Sequence, residues 1–288
     1  MSLSGPHKSP ELPPADVYRR RLRTAGIWLT LGLATMPVFR RGFRRALQGV
    51  MRAALRLRSR DYLAKSAGPL LIFAPHADDE ALGCGGLICH ETRRGVAVHL
   101  AYLTDGSGSH PNHPLLTPTA LAARRRQEAL TALHILGVEP TAVDFLDALD
   151  GTLARLPAGV RCELCNRISK LITRIQPRII FLPCRRDGSS EHDAAFELVT
   201  AALAGTPLRP RVLEYPVWSW WNPSLLFAPL RRSRKIWRLP LQDAAEPKRR
   251  AIAEYATQVQ PTPPMSEAVL SQEFLSYFYS GEEFFFER

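Results

Sequence analysis

The sequence predicts an α/β protein in which a mostly parallel sheet carries helices on both faces, preceded by a basic N-terminal helical extension. From residue 70 onward, short apolar runs alternate with helical patterns, the order that yields a parallel sheet covered on both sides. The chain has 288 residues, 45% of them hydrophobic, enough for one large domain with an appendage. The charge is unevenly spread. The formal net charge of +11 equals that of residues 1–66 alone, which hold fourteen Lys/Arg against three Asp/Glu; the remainder is balanced. Residues 1–66 are therefore read as a basic extension and 67–288 as the main domain.

The extension opens with a Pro- and Ser-containing tail whose composition favours disorder. RRRLR then leads into TAGIWLTLGLATMPVF, an apolar run shorter than the ~20 residues a bilayer span needs. Arginines flank it on both sides and no A-x-A-like cleavage signal follows, which argues against a secretory signal. Residues 42–58 place Phe43, Leu47, Val50, Met51 and Leu55 at helical spacing among arginines. Two readings fit: an amphipathic helix lying on anionic lipid, or a cover helix packed on the domain. No nucleic-acid motif accompanies the charge, so no specific nucleic-acid partner is expected.

In the body, strands are expected at 70–74, 96–103, 142–146, 178–182 and 211–216, and helices at 80–94, 119–136, 159–175, 191–204 and 247–258. Strand and helix patterns alternate through this stretch. Residues 105–118 and 219–240 are Pro-rich and read as loops that shape access to a site. Within the second, RRSRKIWR at 231–238 concentrates positive charge suited to a phosphate or acidic glycan, or to a solvated surface. Trp218, Trp220 and Trp221 suit burial, or a wall for a sugar ring. Five scattered cysteines, an odd number, point to reduced thiols in a cytoplasmic protein. Cys162-x-x-Cys165, in a helical pattern without a second pair, reads as core rather than zinc.

The chemistry concentrates in residues 71–86, LIFAPHADDEALGCGG. The buried strand at 70–74 ends in His76, Asp78, Asp79 and Glu80, where open α/β sheets place their ligands. Adjacent carboxylates beside an apolar strand are costly unless a positive group sits among them, and a divalent metal is the simplest answer. His76 and Asp79 are three apart, so a turn entering a helix can aim both at one ion, and an N/O donor pair suits Zn²⁺. Asp78, between them, is placed as a base rather than a ligand. The glycines at 83–86 lack the G-x-G-x-x-G spacing, and the preceding acids would repel a pyrophosphate.

PHADDE followed by GCGG resembles the HPDDE motif of the PIG-L/LmbE-like N-acetyl-sugar deacetylases, with Ala77 in place of the proline. The similarity extends to Leu103-Thr104-Asp105-Gly106, to Arg125, Glu128, Leu136 and Gly137, and to Ile179–Pro183 followed by Asp187 through His192. It ends with Lys248, Ala251, Tyr255 and Gln258, so that it runs from about residue 68 to the C-terminus. The resemblance implies a Rossmann-like sheet and a zinc-dependent hydrolase that removes an N-acetyl group from an N-acetylglucosamine-type sugar or glycoconjugate. It implies His76, Asp79 and His192 as metal ligands, Asp78 as the base, and Arg125 as a holder of substrate hydroxyls or phosphate. Asp105, His110 and Asp187 are the further candidates on the substrate side. The family's usual histidine three residues before the last ligand is Ser189 here, and its usual aspartate just before that ligand is Glu191. Electrophilic help would then come from Asp187, a backbone amide, His110 or His113. An N-acyl amidase acting on a non-sugar metabolite is the alternative, as is a basic membrane- or nucleic-acid-binding protein with a vestigial metal site. The expected setting is cytoplasmic, with peripheral contact to anionic membrane through the extension.

Overall fold

A computed structural model describes residues 37–62 and 68–287. The expected disordered tail and most of the apolar run at 24–39 lie outside the described residues. The chain enters through α1 (Pro37–Arg58) and β1 (Ser59–Asp61), then alternates β2 (Leu70–Ala74), α2 (Asp79–Arg93), β3 (Val98–Thr104), α3 (Pro118–Ile135), β4 (Val143–Ala148), α4 (Ala158–Ile175), β5 (Ile179–Pro183), α5 (Ser190–Ala204) and β6 (Arg211–Tyr215). Next come α6 (Phe227–Arg232), β7 (Lys235–Pro240), α7 (Ala245–Glu254), α8 (Ala256–Val259), α9 (Gln272–Leu275) and β8 (Glu282–Glu287).

The eight strands form one sheet in the order β1-β7-β8-β6-β5-β2-β3-β4. Strands β6, β5, β2, β3 and β4 are mutually parallel; β8 runs antiparallel to both β6 and β7. Alternation along β2 splits the core in two, because successive side chains of a strand point to opposite faces. Leu70, Ile72 and Ala74 join α2, α3 and α7 on one face. Leu71 and Phe73 join Leu164, Ile168 and Ile172 of α4 and Ala195, Leu198 and Val199 of α5 on the other. Helices thus cover both faces, as the alternating pattern predicts.

The connections position the site. From β2 the chain crosses to β3 on one side, while β5 returns to the other, so the sheet order reverses at the β2/β5 pair. A crevice opens there at the carboxyl ends of the strands. Helix α2 lies so close to β6 that a Cβ on Gly83 would fall 2.2 Å from the Tyr215 ring, which makes glycine obligatory at that approach. Helix α3 starts at Thr117, whose hydroxyl accepts from the Ala120 N–H with Pro118 beside it.

Three features depart from expectation. The helix expected at 247–258 breaks at Tyr255, whose backbone turns to ψ 57° and brings its hydroxyl to Glu80. Residues 219–240 are not loop throughout but supply α6 and the strand β7. Cys162 is exposed and Cys165 half-buried, so the C-x-x-C pair is not core; all five thiols are free. The extension packs as a cover helix: Gln48, Met51 and Leu55 of α1 are buried, and Gln48 donates to the Trp220 carbonyl. Trp220 is buried and Trp221 half-buried, the two lying under the guanidinium groups of Arg52 and Arg44, so both serve packing. Among the described residues, no helix is long and apolar enough to cross a membrane.

Candidate metal centre

Strand β2 ends at Ala74, and the chain turns so that α2 begins at Asp79. Asp78, between them, has φ 146°, a left-handed conformation that costs a non-glycine residue about 1–3 kcal/mol and is tolerated chiefly at functional sites. The turn folds Asp79 back toward His76: the Asp79 carboxylate accepts from the His76 N–H at 3.0 Å and lies 3.2 Å from His76 Nδ1. From across the β2/β5 crevice, His192 in the first turn of α5 brings Nε2 to 3.3 Å from the same oxygen. Ser189 caps that helix, its hydroxyl accepting from the His192 N–H. Three donors separated by up to 116 positions therefore converge, all within 4.8 Å of one another.

The tautomers favour a cation among them. His192 Nδ1 lies 2.9 Å from the Asp187 carboxylate. Donating there leaves Nε2 as the lone-pair nitrogen, aimed at a carboxylate oxygen and without a hydrogen-bond partner although fully buried. Two lone pairs facing each other in a buried site repel unless a proton or a metal ion sits between them. A tetrahedral ion with arms of ~2.0–2.1 Å sets neighbouring donors about 3.3 Å apart, which the observed 3.2 and 3.3 Å match. The residues fit a divalent ion, and His76, Asp79 and His192 are those that could hold it.

Each histidine has a carboxylate on its other nitrogen, the arrangement that fixes tautomer and ring orientation at metal sites. His76 Nε2 lies 2.9 Å from Glu191 and 3.4 Å from Asp150. Glu191 also accepts from the Gly151 and Leu153 N–H groups, tying the loop after β4 to α5. Neither Glu191 nor Asp150 was read from the sequence as part of the centre; the only signals are adjacency to His192 and a D-G turn at 150–151.

The electrostatics follow from burial. Burial opposes ionisation of Asp79, yet His192 and then His76 hold its carboxyl well below the ordinary range. Burial also opposes protonation of His192, but Asp79 and Asp187 outweigh it and raise the imidazole to about 9. Asp78 behaves oppositely: burial pushes it up to about 7 against the pull of Arg125, whose Nη2 is 3.5 Å away. Glu80 is raised by burial to about 8, with the Tyr255 hydroxyl donating to it.

The four residues expected on the substrate side are placed differently. Arg125 is only 2% exposed and donates to the carbonyls of Ala77 and Gly106, so it clamps the turn and faces Asp78. Asp105 accepts from the N–H and hydroxyl of Ser107 and from the Asp150 N–H, building its own loop. Asp187 is fully buried, taking the N–H groups of Val217, Trp218 and Ser219 besides His192. These three act on the protein rather than standing free for a ligand. His110 lies between Ser109 and Thr262, and burial lowers it to about 4.

Comparison with known proteins places this geometry. The family model "PIG-L: GlcNAc-PI de-N-acetylase" matches residues 71–203, which contain His76, Asp79 and His192. The chain is 33% identical over 114 residues to the diacetylchitobiose deacetylase of Thermococcus kodakarensis, a match spanning 40% of each protein. Among solved structures it is similar to the N,N′-diacetylchitobiose deacetylase of Pyrococcus horikoshii, with a TM-score of 0.51 and 23% identity over 78% of this chain and 81% of that one. It is also similar to the 4-carboxy-2-hydroxymuconate hydratase of Pseudomonas putida, with a TM-score of 0.56 and 20% identity over 73% and 82%. At these identities the two structures speak for the fold, and their differing names show that the scaffold does not choose the reaction.

Proposed function

We propose that the chain, whose residues 71–203 match the PIG-L family model, is a PIG-L/LmbE-like metal-dependent hydrolase removing the N-acetyl group from an N-acetylglucosamine-type sugar or glycoconjugate. The observation that carries the reading is the convergence of His76, Asp79 and His192, with Asp78 beside them in a strained turn. We assign Zn²⁺ as the ion, because two imidazoles and one carboxylate are the donor set of an open zinc site. When bound, it supplies Lewis-acid polarisation of the acetyl carbonyl and acidifies a coordinated water.

The residues of the chain do the rest. Asp78 takes the proton of the attacking water at its carboxylate and returns it to the departing sugar amine, so acetate and a free amine leave with protons balanced. Arg125 holds the Asp78 carboxylate in place and, through the Ala77 carbonyl, holds the turn that strains it. Asp187 and Glu191 keep His192 and His76 in the orientation that presents Nε2 and Nδ1 to the ion. Ser189 is occupied as a helix cap, and no second histidine stands at that position.

The five free thiols support a reducing, cytoplasmic setting. For the extension, the packing of Met51 and Leu55 favours the cover-helix reading; peripheral membrane contact would fall to the exposed Phe43, Val50 and Leu57.

The test measures acetate release from N-acetylglucosamine derivatives together with bound zinc. Asp78→Asn is expected to lose about 10²–10⁴-fold in rate while retaining the metal. Full activity in that variant would overturn the base assignment. No acetate from the zinc-loaded parent on any N-acetyl sugar would overturn the activity itself.

A further inference from the structure

Helix α1 carries seven arginines and no acidic residue, and its polar side chains reach the domain on both sides of the buried Met51 and Leu55. Arg44 stacks 3.7 Å above the Trp221 ring and Arg52 4.1 Å above the Trp220 ring. Gln48 donates to the Trp220 carbonyl, Arg52 to that of Tyr277 and Arg58 to that of Leu230. Arg41 and Arg44 pair with Glu273, and Arg52 and Arg56 with Glu282.

The opposite side of the helix is apolar. Residues seven apart drift by only about 20° around a helix, so Phe43, Val50 and Leu57 form one stripe, with Ala46 and Ala53 beside it; all five are exposed. Val50 is 59% and Leu57 87% exposed. Single exposed apolar side chains are ordinary. Here three of the nine large ones exposed among the described residues stand in one row, and contiguous apolar surface of this kind marks a docking face. A surface helix ordinarily turns its apolar stripe to the core and its charges to water. The outer side of α1 does the reverse.

Charge and chain order choose the occupant. A second copy would bring another set of arginines against the first, and neither helix has an acidic residue to pair with them. Anionic lipid has the opposite sign and attracts basic segments held near its surface. Arg45 and Arg56 on one side of the stripe and Arg58 on the other are exposed, where long stems can lie along apolar surface and set their charge among head groups. In sequence, RRRLR and the apolar run TAGIWLTLGLATMPVF lead directly into this helix, and fourteen Lys/Arg fall within residues 1–66.

We propose that the outward face of α1, through Val50 and Leu57, seats on a bilayer surface of anionic lipid with the helix axis in the plane of that surface. This seating specifies the peripheral contact considered above and is independent of the deacetylase assignment. The domain side of the same helix rests on the segment after β6, whose Trp218 and Ser219 N–H groups bind Asp187, so a lipid-bound α1 lies one layer from the metal centre.

The full-length protein is floated with vesicles of phosphatidylcholine alone and of equimolar phosphatidylcholine and phosphatidylglycerol, at low and at high salt. Beside it are Val50→Gln/Leu57→Gln and a control, Leu115→Gln/Val160→Gln, that removes two comparably exposed apolar side chains elsewhere. The parent and the control should bind the anionic vesicles at least tenfold more tightly than the neutral ones, and salt should weaken that binding by screening it. The α1 variant should bind at least tenfold more weakly than either, because two apolar side chains no longer leave water. Its urea midpoint should equal the parent's, since both positions are already in water. No binding of the parent to anionic vesicles overturns peripheral contact altogether, whereas equal binding by all three proteins overturns this face as the seat. A lowered urea midpoint in the α1 variant shows that the chain's own residues cover the face. A parent dimer in sedimentation that the variant converts to monomer shows that a second copy does. Either result overturns the lipid assignment.

Discussion

Replacing Asp187 with asparagine tests whether the metal centre is built from behind its ligands. Donors from Val217, Trp218, the N–H and hydroxyl of Ser219, and His192 all end on this one carboxylate. An amide keeps one acceptor oxygen and must turn its NH₂ toward groups that also donate. Only the Ser219 hydroxyl can accept in return, so the nitrogen settles on that side and strands the Ser219 N–H. A buried unsatisfied donor costs about 1–3 kcal/mol. The oxygen left for His192 Nδ1 is neutral, so the imidazole loses its charged partner and Nε2 becomes a poorer donor. Losing such a partner typically weakens metal affinity 10–100-fold, which is about 1.4–2.7 kcal/mol. Zinc affinity is read by competition with a chromophoric chelator, and stability by urea unfolding of the metal-free protein. Both should fall. Zinc affinity within twofold of the parent would refute the argument even if stability dropped, because Asp187 would then support only the loop.

Two further outcomes follow from contacts outside the centre. Lys248 is buried with Nζ 2.6 Å from Glu283 and 2.7 Å from the Leu82 carbonyl, while Glu283 accepts from the Gly86 and Leu87 N–H groups of α2. Lys248→Met should therefore destabilise by about 3–5 kcal/mol through the stranded carboxylate; adding Glu283→Gln should recover part of it in the urea midpoint, and no recovery would count against the pairing. Deleting residues 1–62 removes β1 and buried Met51, Leu55 and Tyr62, each worth about 1.5–3 kcal/mol, along with the Arg52 and Arg56 contacts to Glu282. The urea midpoint should drop sharply, and an unchanged midpoint would show that α1 is not structural.

Much of this was legible because it is local. LLIFA at 70–74 is fully buried as its unbroken apolar run demands, and His76 and Asp79 meet because they lie three positions apart in one turn. His192 was found through motif resemblance, not local physics: its partner Asp79 lies across the β2/β5 crevice, and nothing around a lone histidine at a helix start specifies that. Arg125 shows the limit of such resemblance. The resemblance makes it a holder of substrate hydroxyls or phosphate, whereas its burial and its bonds to Ala77 and Gly106 make it a clamp on the turn that carries Asp78. β8 was missed because EEFFFE carries three aromatics without alternation, and its place between β6 and β7 depends on pairing with residues 42 to 74 positions away. Glu191 was read only as a departure from pattern, since its bond to His76 spans 115 positions.

The charges of the centre explain why it takes this form. Asp78, Asp79, Asp150, Asp187 and Glu191 crowd a volume in which Arg125 contacts two, Asp78 and Asp150. With both imidazoles neutral, such a cluster would be too anionic to bury. The raised affinity of His192 and His76 for protons, which burial alone would lower, marks where compensating positive charge belongs. On the proposed function, a divalent ion at the convergence of His76, Asp79 and His192 would supply it there and let both histidines stay neutral while their carboxylate partners remain ionised. Asp78 is the exception that gives the cluster a use. Held outside the ligand set by its strained backbone, it is the carboxyl that burial brings to about 7, where proton exchange with water at neutral pH is easiest. On the proposed mechanism, the fold thus buries Asp79 as a ligand and Asp150, Asp187 and Glu191 as supports, and leaves Asp78 as the reagent.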